Sequence, residues 1–130
     1  MKYTFAILGL GLLVSLIIIS SNPKNNSTQE STIIKNNVSL EGGKQIITLS
    51  AKGGYSPNIS KAKSGIPTLL KVETKNTMDC SLSLVIPDLK YRNFLPSSGS
   101  TEINIPPQPA GKTLQGLCGM GMYGFKIVFE

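Results

Sequence analysis

Hydrophobic positions along the chain follow two different patterns, which change near residue 38. Residues 3–19 form an uncharged and mostly apolar run. From Val38 onward, short apolar stretches alternate with Gly, Pro, Ser and Asn, and no ten residues in a row carry a helical apolar stripe. Short alternating stretches between turn residues are typical of β-strands. The pattern therefore predicts an all-β domain over residues 38–130.

The strand pattern is regular enough to suggest an architecture. The clearest candidates are residues 45–50, 68–74, 80–86, 100–105, 112–118 and 123–129, with a further strand near 56–61. Six or seven short strands at this spacing are typical of a β-sandwich or a Greek-key barrel.

The apolar run predicts a transmembrane anchor over residues 1–21. As a helix, residues 3–19 would extend about 25 Å, near the lower limit for crossing a bilayer. A cleaved signal peptide is the alternative, but the run ends without the small-residue pattern of a cleavage site. Residues 22–37 are rich in Ser, Asn and Thr, which predicts a flexible linker. One Lys before the run and two after it favour a cytoplasmic C-terminal side.

Composition excludes several classes of function. The chain has no His and no Trp, which removes the commonest general base and every nucleophile–His arrangement, so we expect no enzyme. The net charge of +6 comes from scattered Lys and Arg without basic runs beside aromatic residues, so we expect no nucleic-acid binding.

Sulfur-bearing side chains are concentrated around two positions. Met78 precedes Cys80 by two residues, and Met120 and Met122 follow Cys118 by two and four. If the strands that carry Cys80 and Cys118 are antiparallel neighbours, both thiols meet at one end of the domain. Thiolate and thioether together select a soft ion, with Cu(I) as the first candidate.

The same residues could also serve roles that do not involve Cu(I). Zn(II) fits poorly because two Cys leave it short of ligands, and a blue-copper centre needs two His. Cys80 and Cys118 can instead form a disulfide, and Met120 and Met122 can be core residues. Asp79 is expected to be a turn residue. As an anion beside Cys80 it would disfavour a free thiolate, so it gives no sign of an activated nucleophile.

Four segments together resemble the cupredoxin-like Cu(I)-binding domains. They are Gly-Gly-Tyr-Ser-Pro at 53–57, Gly-Ile-Pro at 65–67, Cys80 with Leu-Val-Ile-Pro at 84–87, and Cys-Gly-Met-Gly-Met-Tyr-Gly at 118–124. Within that family the chain is similar to the membrane-anchored copper chaperones of the CupA type in Gram-positive bacteria. It also resembles the N-terminal domain of their partner, a copper-exporting P-type ATPase. The resemblance covers about residues 40–130.

The resemblance implies a cupredoxin-like Greek-key β-sandwich that binds one or two Cu(I) ions. Cys80 and Cys118 would hold the tighter ion, and Met120 and Met122 with a shared Cys sulfur the weaker one. Met78 is not part of the pattern. The implied role is a single-pass membrane chaperone that faces the cytoplasm and delivers Cu(I) to the exporting ATPase. An extracytoplasmic copper scavenger and a disulfide-stapled interaction module remain alternatives.

Overall fold

The structure is a computed structural model that describes residues 37–130. The predicted anchor (1–21) and residues 22–36 of the predicted linker lie outside the described residues. Between residues 37 and 130, no helix is both long and apolar enough to cross a membrane. The predicted Cu(I)-binding domain, residues 38–130, falls within the described part.

Between residues 37 and 130, ten strands form two five-stranded sheets. The first sheet contains β1 (Val38–Glu41), β2 (Lys44–Ala51), β3 (Tyr55–Ser56), β5 (Thr68–Thr74) and β8 (Gly99–Ile105). Its order is β1-β2-β5-β8, with β3 paired to the end of β2. Strands β2 and β5 are parallel, and the other pairs are antiparallel.

The second sheet has a short strand at each edge. It contains β4 (Ile59–Ala62), β6 (Ser83–Ile86), β7 (Tyr91–Phe94), β9 (Thr113–Cys118) and β10 (Gly124–Phe129). The strand order is β4-β10-β9-β6-β7, with only β4 and β10 parallel. The architecture confirms the predicted all-β sandwich.

Side-chain alternation places every second residue of strands such as β2 and β5 in one hydrophobic core. Because successive residues of a strand point to opposite faces, Ile47 and Leu49 of β2 lie in the core, as do Leu70 and Val72 of β5. Burying such a side chain stabilises the fold by about 1.5–3 kcal/mol. In the described residues, no buried side-chain N or O lacks a hydrogen-bond partner.

Two of the predicted strands differ from the strands in the structure. The stretch 80–86 begins with a 3-10 helix, Cys80–Leu82, and becomes strand only at Ser83. The Asp79 side chain caps this turn by accepting a hydrogen bond from the Ser81 amide. The stretch near 56–61 forms two strands, β3 and β4, separated by a cis Ser56–Pro57 peptide bond.

Strands β1 and β7 were not predicted. Each lies at an edge of its sheet, and in each only the first residue is partly buried while the rest are exposed. Without a buried face there is no apolar alternation to detect. The remaining five predicted strands agree with β2, β5, β8, β9 and β10 to within one residue at each end.

Candidate metal site

The fold brings Cys80 and Cys118 together at one end of the sandwich. Their Cα atoms are 5.7 Å apart and their sulfur atoms form a disulfide. Cys118 is the last residue of β9, which pairs antiparallel with β6. The prediction that the two side chains meet is therefore confirmed. The residue opposite Cys118 in the ladder is Leu84, however, and Cys80 reaches its partner through the 3-10 turn.

The disulfide differs from the two free thiols expected for a Cu(I) site. Between residues 37 and 130 there is no free cysteine. Because the metal ligand is the thiolate, this pair can bind an ion only after reduction to the dithiol. Cys118 is only 2% exposed, whereas Cys80 is partly buried at the surface. Reduction would thus leave one thiol facing the core and one nearer to solvent.

Met120 and Met122 lie in the loop that joins β9 to β10. The loop is closed by the Cys118 amide, which donates to the Tyr123 carbonyl at 2.9 Å, and by the Gly121 amide, which donates to the Cys118 carbonyl at 2.8 Å. The two methionine side chains are 78% and 65% exposed, so they are not core residues. A short, closed loop therefore presents two thioethers to solvent beside Cys118.

Glycine is favoured at two positions of this loop. The Gly119 amide donates to the Ser83 carbonyl at 2.7 Å, so the loop lies directly against the start of β6. A Cβ at Gly119 would collide with the Ser83 hydroxyl oxygen and lie 3.3 Å from the Ser83 Cβ. Gly121 has a different requirement, because its φ of +73° is in the left-handed region.

Asp79 ties the Cys80 turn to the Gly-Gly-Tyr loop. Its carboxylate accepts hydrogen bonds from the Ser81 hydroxyl, from the Ser81 amide at 2.8 Å and from the Gly53 amide at 2.8 Å. These hydrogen bonds lower the pKa of Asp79, and the bond from the Ser81 side chain has the largest effect. The expectation of a turn residue is confirmed, and the contact with Gly53 joins the Gly-Gly-Tyr segment to the Cys80 turn.

Tyr55 supports the same turn from inside the core. Its hydroxyl donates to the Ser81 carbonyl at 3.0 Å, and its ring packs edge-on against Phe125 with 5.1 Å between ring centres. Burial, with a smaller effect of the Asp79 charge, raises the pKa of Tyr55 to about 12. The hydroxyl therefore stays protonated and remains a donor at neutral pH. Sequence reasoning did not assign this role to Tyr55 or Ser81.

The candidate donors at the cysteine pair carry sulfur rather than imidazole or carboxylate groups. Residues 37–130 contain no group of three or more His, Cys, Asp or Glu side chains that could hold a metal. A dithiol with nearby thioethers matches the ligand preference of Cu(I). The sequence patterns pointed to Cys80, Cys118, Met120 and Met122; the structure joins the two cysteines and places both methionines in the loop after Cys118, and their role as ligands stays a prediction.

Comparison with known proteins identifies the family. Residues 9–128 match the sequence model of the cupredoxin-like domain. The chain belongs to the cupredoxin-like domain family. No curated protein sequence matches it. The assignment of this cupredoxin-like protein to the membrane-anchored chaperones remains a prediction.

Solved structures of two copper proteins are similar to this cupredoxin-like chain. One is the metal-binding domain of the Streptococcus pneumoniae D39 Cu(I)-exporting P-type ATPase CopA with Cu(I), at 24% identity and a TM-score of 0.65. The match covers 72% of this chain and 92% of that one. The other is a copper-binding protein in its apo form, solved by NMR, at 27% identity and a TM-score of 0.65. This second match covers 72% of the present chain and 94% of the copper-binding protein.

Proposed function

We propose that the reduced protein binds Cu(I) through Cys80, Cys118, Met120 and Met122 and passes it to a copper-exporting P-type ATPase. One observation carries the proposal. Two cysteines whose Cα atoms are 5.7 Å apart stand beside a closed loop that exposes two thioethers. Exposed methionines gain nothing from the core, whereas beside a dithiol they complete a soft ligand set.

The two kinds of donor suit a protein that must release its ion. Each thiol must lose a proton to solvent before it binds the metal, and the resulting thiolate holds the cation tightly through its negative charge. A thioether carries no proton and binds more weakly. We therefore assign the tighter Cu(I) to Cys80 and Cys118, and a second, more exposed Cu(I) to Met120 and Met122 with a shared cysteine sulfur.

Delivery to an exporter is supported by the solved structures and by the N-terminal run. One of the similar structures is a domain of a Cu(I)-exporting ATPase. We propose that residues 3–19 anchor the chain in the membrane and that the domain faces the cytoplasm. A linker of residues 22–37 would allow a reach of roughly 20–25 Å, which confines the site near a membrane-bound acceptor.

A structural disulfide is the second candidate, because the structure pairs the two cysteines. They are 38 residues apart in sequence, and in the chain-entropy model closing such a loop stabilises a fold by about 4 kcal/mol. In that case the protein is a disulfide-stapled interaction module. A disulfide alone gives no reason for exposed thioethers at Met120 and Met122, which is why we place it second.

Copper tolerance of cells tests the delivery role. Cells would carry the full chain, a chain lacking residues 3–19, or the Cys118→Ser variant, at matched abundance. We expect that only the full chain protects, although the anchor-deleted protein should bind Cu(I) normally once purified. Equal protection by the anchor-deleted chain would contradict delivery at the membrane.

Topology is measured on the same cells with a membrane-impermeant thiol reagent. For a cytoplasmic domain, Cys80 should be labelled only after the cells are opened. Labelling of intact cells would instead favour the extracytoplasmic scavenger. A cysteine pair that resists labelling until it is reduced, in either compartment, would favour the stapled module.

A further inference from the structure

Met78 is the most exposed large apolar side chain among the described residues. It is 90% exposed, although methionine usually fills gaps in a core. It stands two residues before Cys80, outside the four donors already assigned. A function for this side chain therefore has to come from something that it meets in solution.

The backbone on both sides of Met78 is firmly held. Thr77 is fully buried, where its hydroxyl donates to the Ala51 carbonyl at 2.6 Å and its amide donates to the Ser97 carbonyl at 2.9 Å. On the other side, the Asp79 carboxylate accepts hydrogen bonds from the Gly53 and Ser81 amides. Met78 is thus presented to solvent from a fixed position beside the cysteine pair.

The distances allow the Met78 sulfur to share an ion with Cys80. Asp79 is extended, with φ −121° and ψ −175°, so the Cα atoms of Met78 and Cys80 are about 7 Å apart. By standard bond lengths a methionine sulfur lies up to about 4 Å from its Cα and a cysteine sulfur about 3 Å from its own. The two sulfurs can therefore approach closely enough to bind one soft ion.

We propose that Met78 is a third thioether ligand, which binds Cu(I) together with Cys80. The inference rests on the proposed Cu(I) site, to which it adds a donor on the Cys80 side to complement Met120 and Met122 on the Cys118 side. Cu(I) accepts thioether ligands readily, and an exposed ligand can take up or release the ion first.

Methyl NMR of the full chain tests this proposal directly. The chain contains four methionines, so with ¹³C-labelled methyl groups each gives one resonance, and loss of a resonance in Met78→Ile assigns it. The protein is held in detergent, reduced with a phosphine and titrated anaerobically with Cu(I) supplied as its acetonitrile complex. We expect the Met78 methyl resonance to shift, also in a variant that carries Met120→Ile and Met122→Ile. Cys80→Ser should abolish the shift.

The outcomes separate this inference from the proposed function. Shifts of Met120 and Met122 with no change at Met78 would overturn the third ligand and leave the Cu(I) site intact. Absence of any shift, with no Cu(I) retained, would overturn the proposed function itself.

A pair of variants distinguishes metal binding from protein docking. Met78→Ile keeps the apolar surface but lacks the sulfur, whereas Met78→Ser lacks both. We expect both variants to lose Cu(I) to a chelator faster than the unchanged protein does. Unchanged rates in both, with slower transfer to a protein acceptor only for Met78→Ser, would assign Met78 to docking and contradict the proposal.

Discussion

Replacing Gly119 by Ala tests whether the Met loop is fixed by its close contact with β6. At a glycine with ordinary backbone angles, Ala usually stabilises a protein by about 0.4–1 kcal/mol, because the unfolded chain loses freedom. The φ of Gly119 lies outside the left-handed region, so this gain would apply if the space around it were open. The new Cβ would instead collide with the Ser83 hydroxyl oxygen. The contact therefore predicts the opposite sign.

We expect Gly119→Ala to destabilise the domain by about 1 kcal/mol, the lower end of the cost of overpacking, because Gly119 is exposed and the Ser83 hydroxyl can turn aside while the Ser83 Cβ at 3.3 Å must give way. For a domain of this size, each kcal/mol lowers the Tm by about 4–8 °C. The assay is thermal unfolding of the oxidised protein, followed by circular dichroism. Ser83→Ala removes the oxygen and leaves the Cβ at 3.3 Å, so it should relieve part of the loss.

A double-mutant cycle then measures the contact between the two positions. The combined variant should be more stable than the sum of the two single effects predicts, by about 0.5 kcal/mol or more. Gly42→Ala is the matched control, because a Cβ there meets nothing within 4 Å although its φ is +56°. Its effect reports backbone strain and should not depend on Ser83. An increase in Tm for Gly119→Ala, or strict additivity with Ser83→Ala, would refute the argument.

Three further predictions concern the ligands and their support. Met120→Ile combined with Met122→Ile should leave one tight Cu(I) per domain in a chelator competition, and equal loss of both ions would contradict the two-site assignment. Cu(II) should give no stable, intense blue absorption, because the chain has no His to form a blue-copper centre. A persistent blue band would argue against a site that binds only Cu(I). Because the pKa of Asp79 is lowered from its ordinary value of 3.8, its ionised carboxylate stabilises the fold at pH values above 3.8. This stabilisation is lost as the pH falls through the pKa of the folded state. In denaturant unfolding, Asp79→Asn should therefore be less stable than the unchanged protein at neutral pH, and the difference in free energy of unfolding should shrink in acid. A difference that does not change with pH would contradict this role of Asp79.

Strands with one buried face were the predictable part of the fold. In β2 and β5, alternate residues enter the core, and their apolar alternation is visible in the sequence. Edge strands β1 and β7 have no such face, so their existence depends on pairing with a neighbour that the sequence does not reveal. The Cys80 turn was misread as strand because its Leu82 continues the same alternation. The Asp79 carboxylate, which caps the turn through the Ser81 amide, also accepts a hydrogen bond from the Gly53 amide, which is distant in sequence.

The candidate site was predictable as a set of residues but only partly as an arrangement. The spacing of Cys118, Met120 and Met122 with intervening glycines indicated a loop with soft donors, and the structure shows that loop. The sequence left the pairing of Cys80 with Cys118 open between disulfide and dithiol. The contacts of Asp79 and Ser83 with distant backbone atoms join positions far apart in sequence, which no local pattern contains.

Anaerobic Cu(I) titration of one preparation in its oxidised and reduced forms tests the central claim most directly. The full chain in detergent competes with a chromogenic Cu(I) chelator, once with the Cys80–Cys118 disulfide intact and once after reduction and removal of the reductant. We predict tight binding, up to two ions per chain, only in the reduced form, and its loss in Cys118→Ser. Absence of binding by the folded, reduced protein would contradict the account, as would equal binding in both forms.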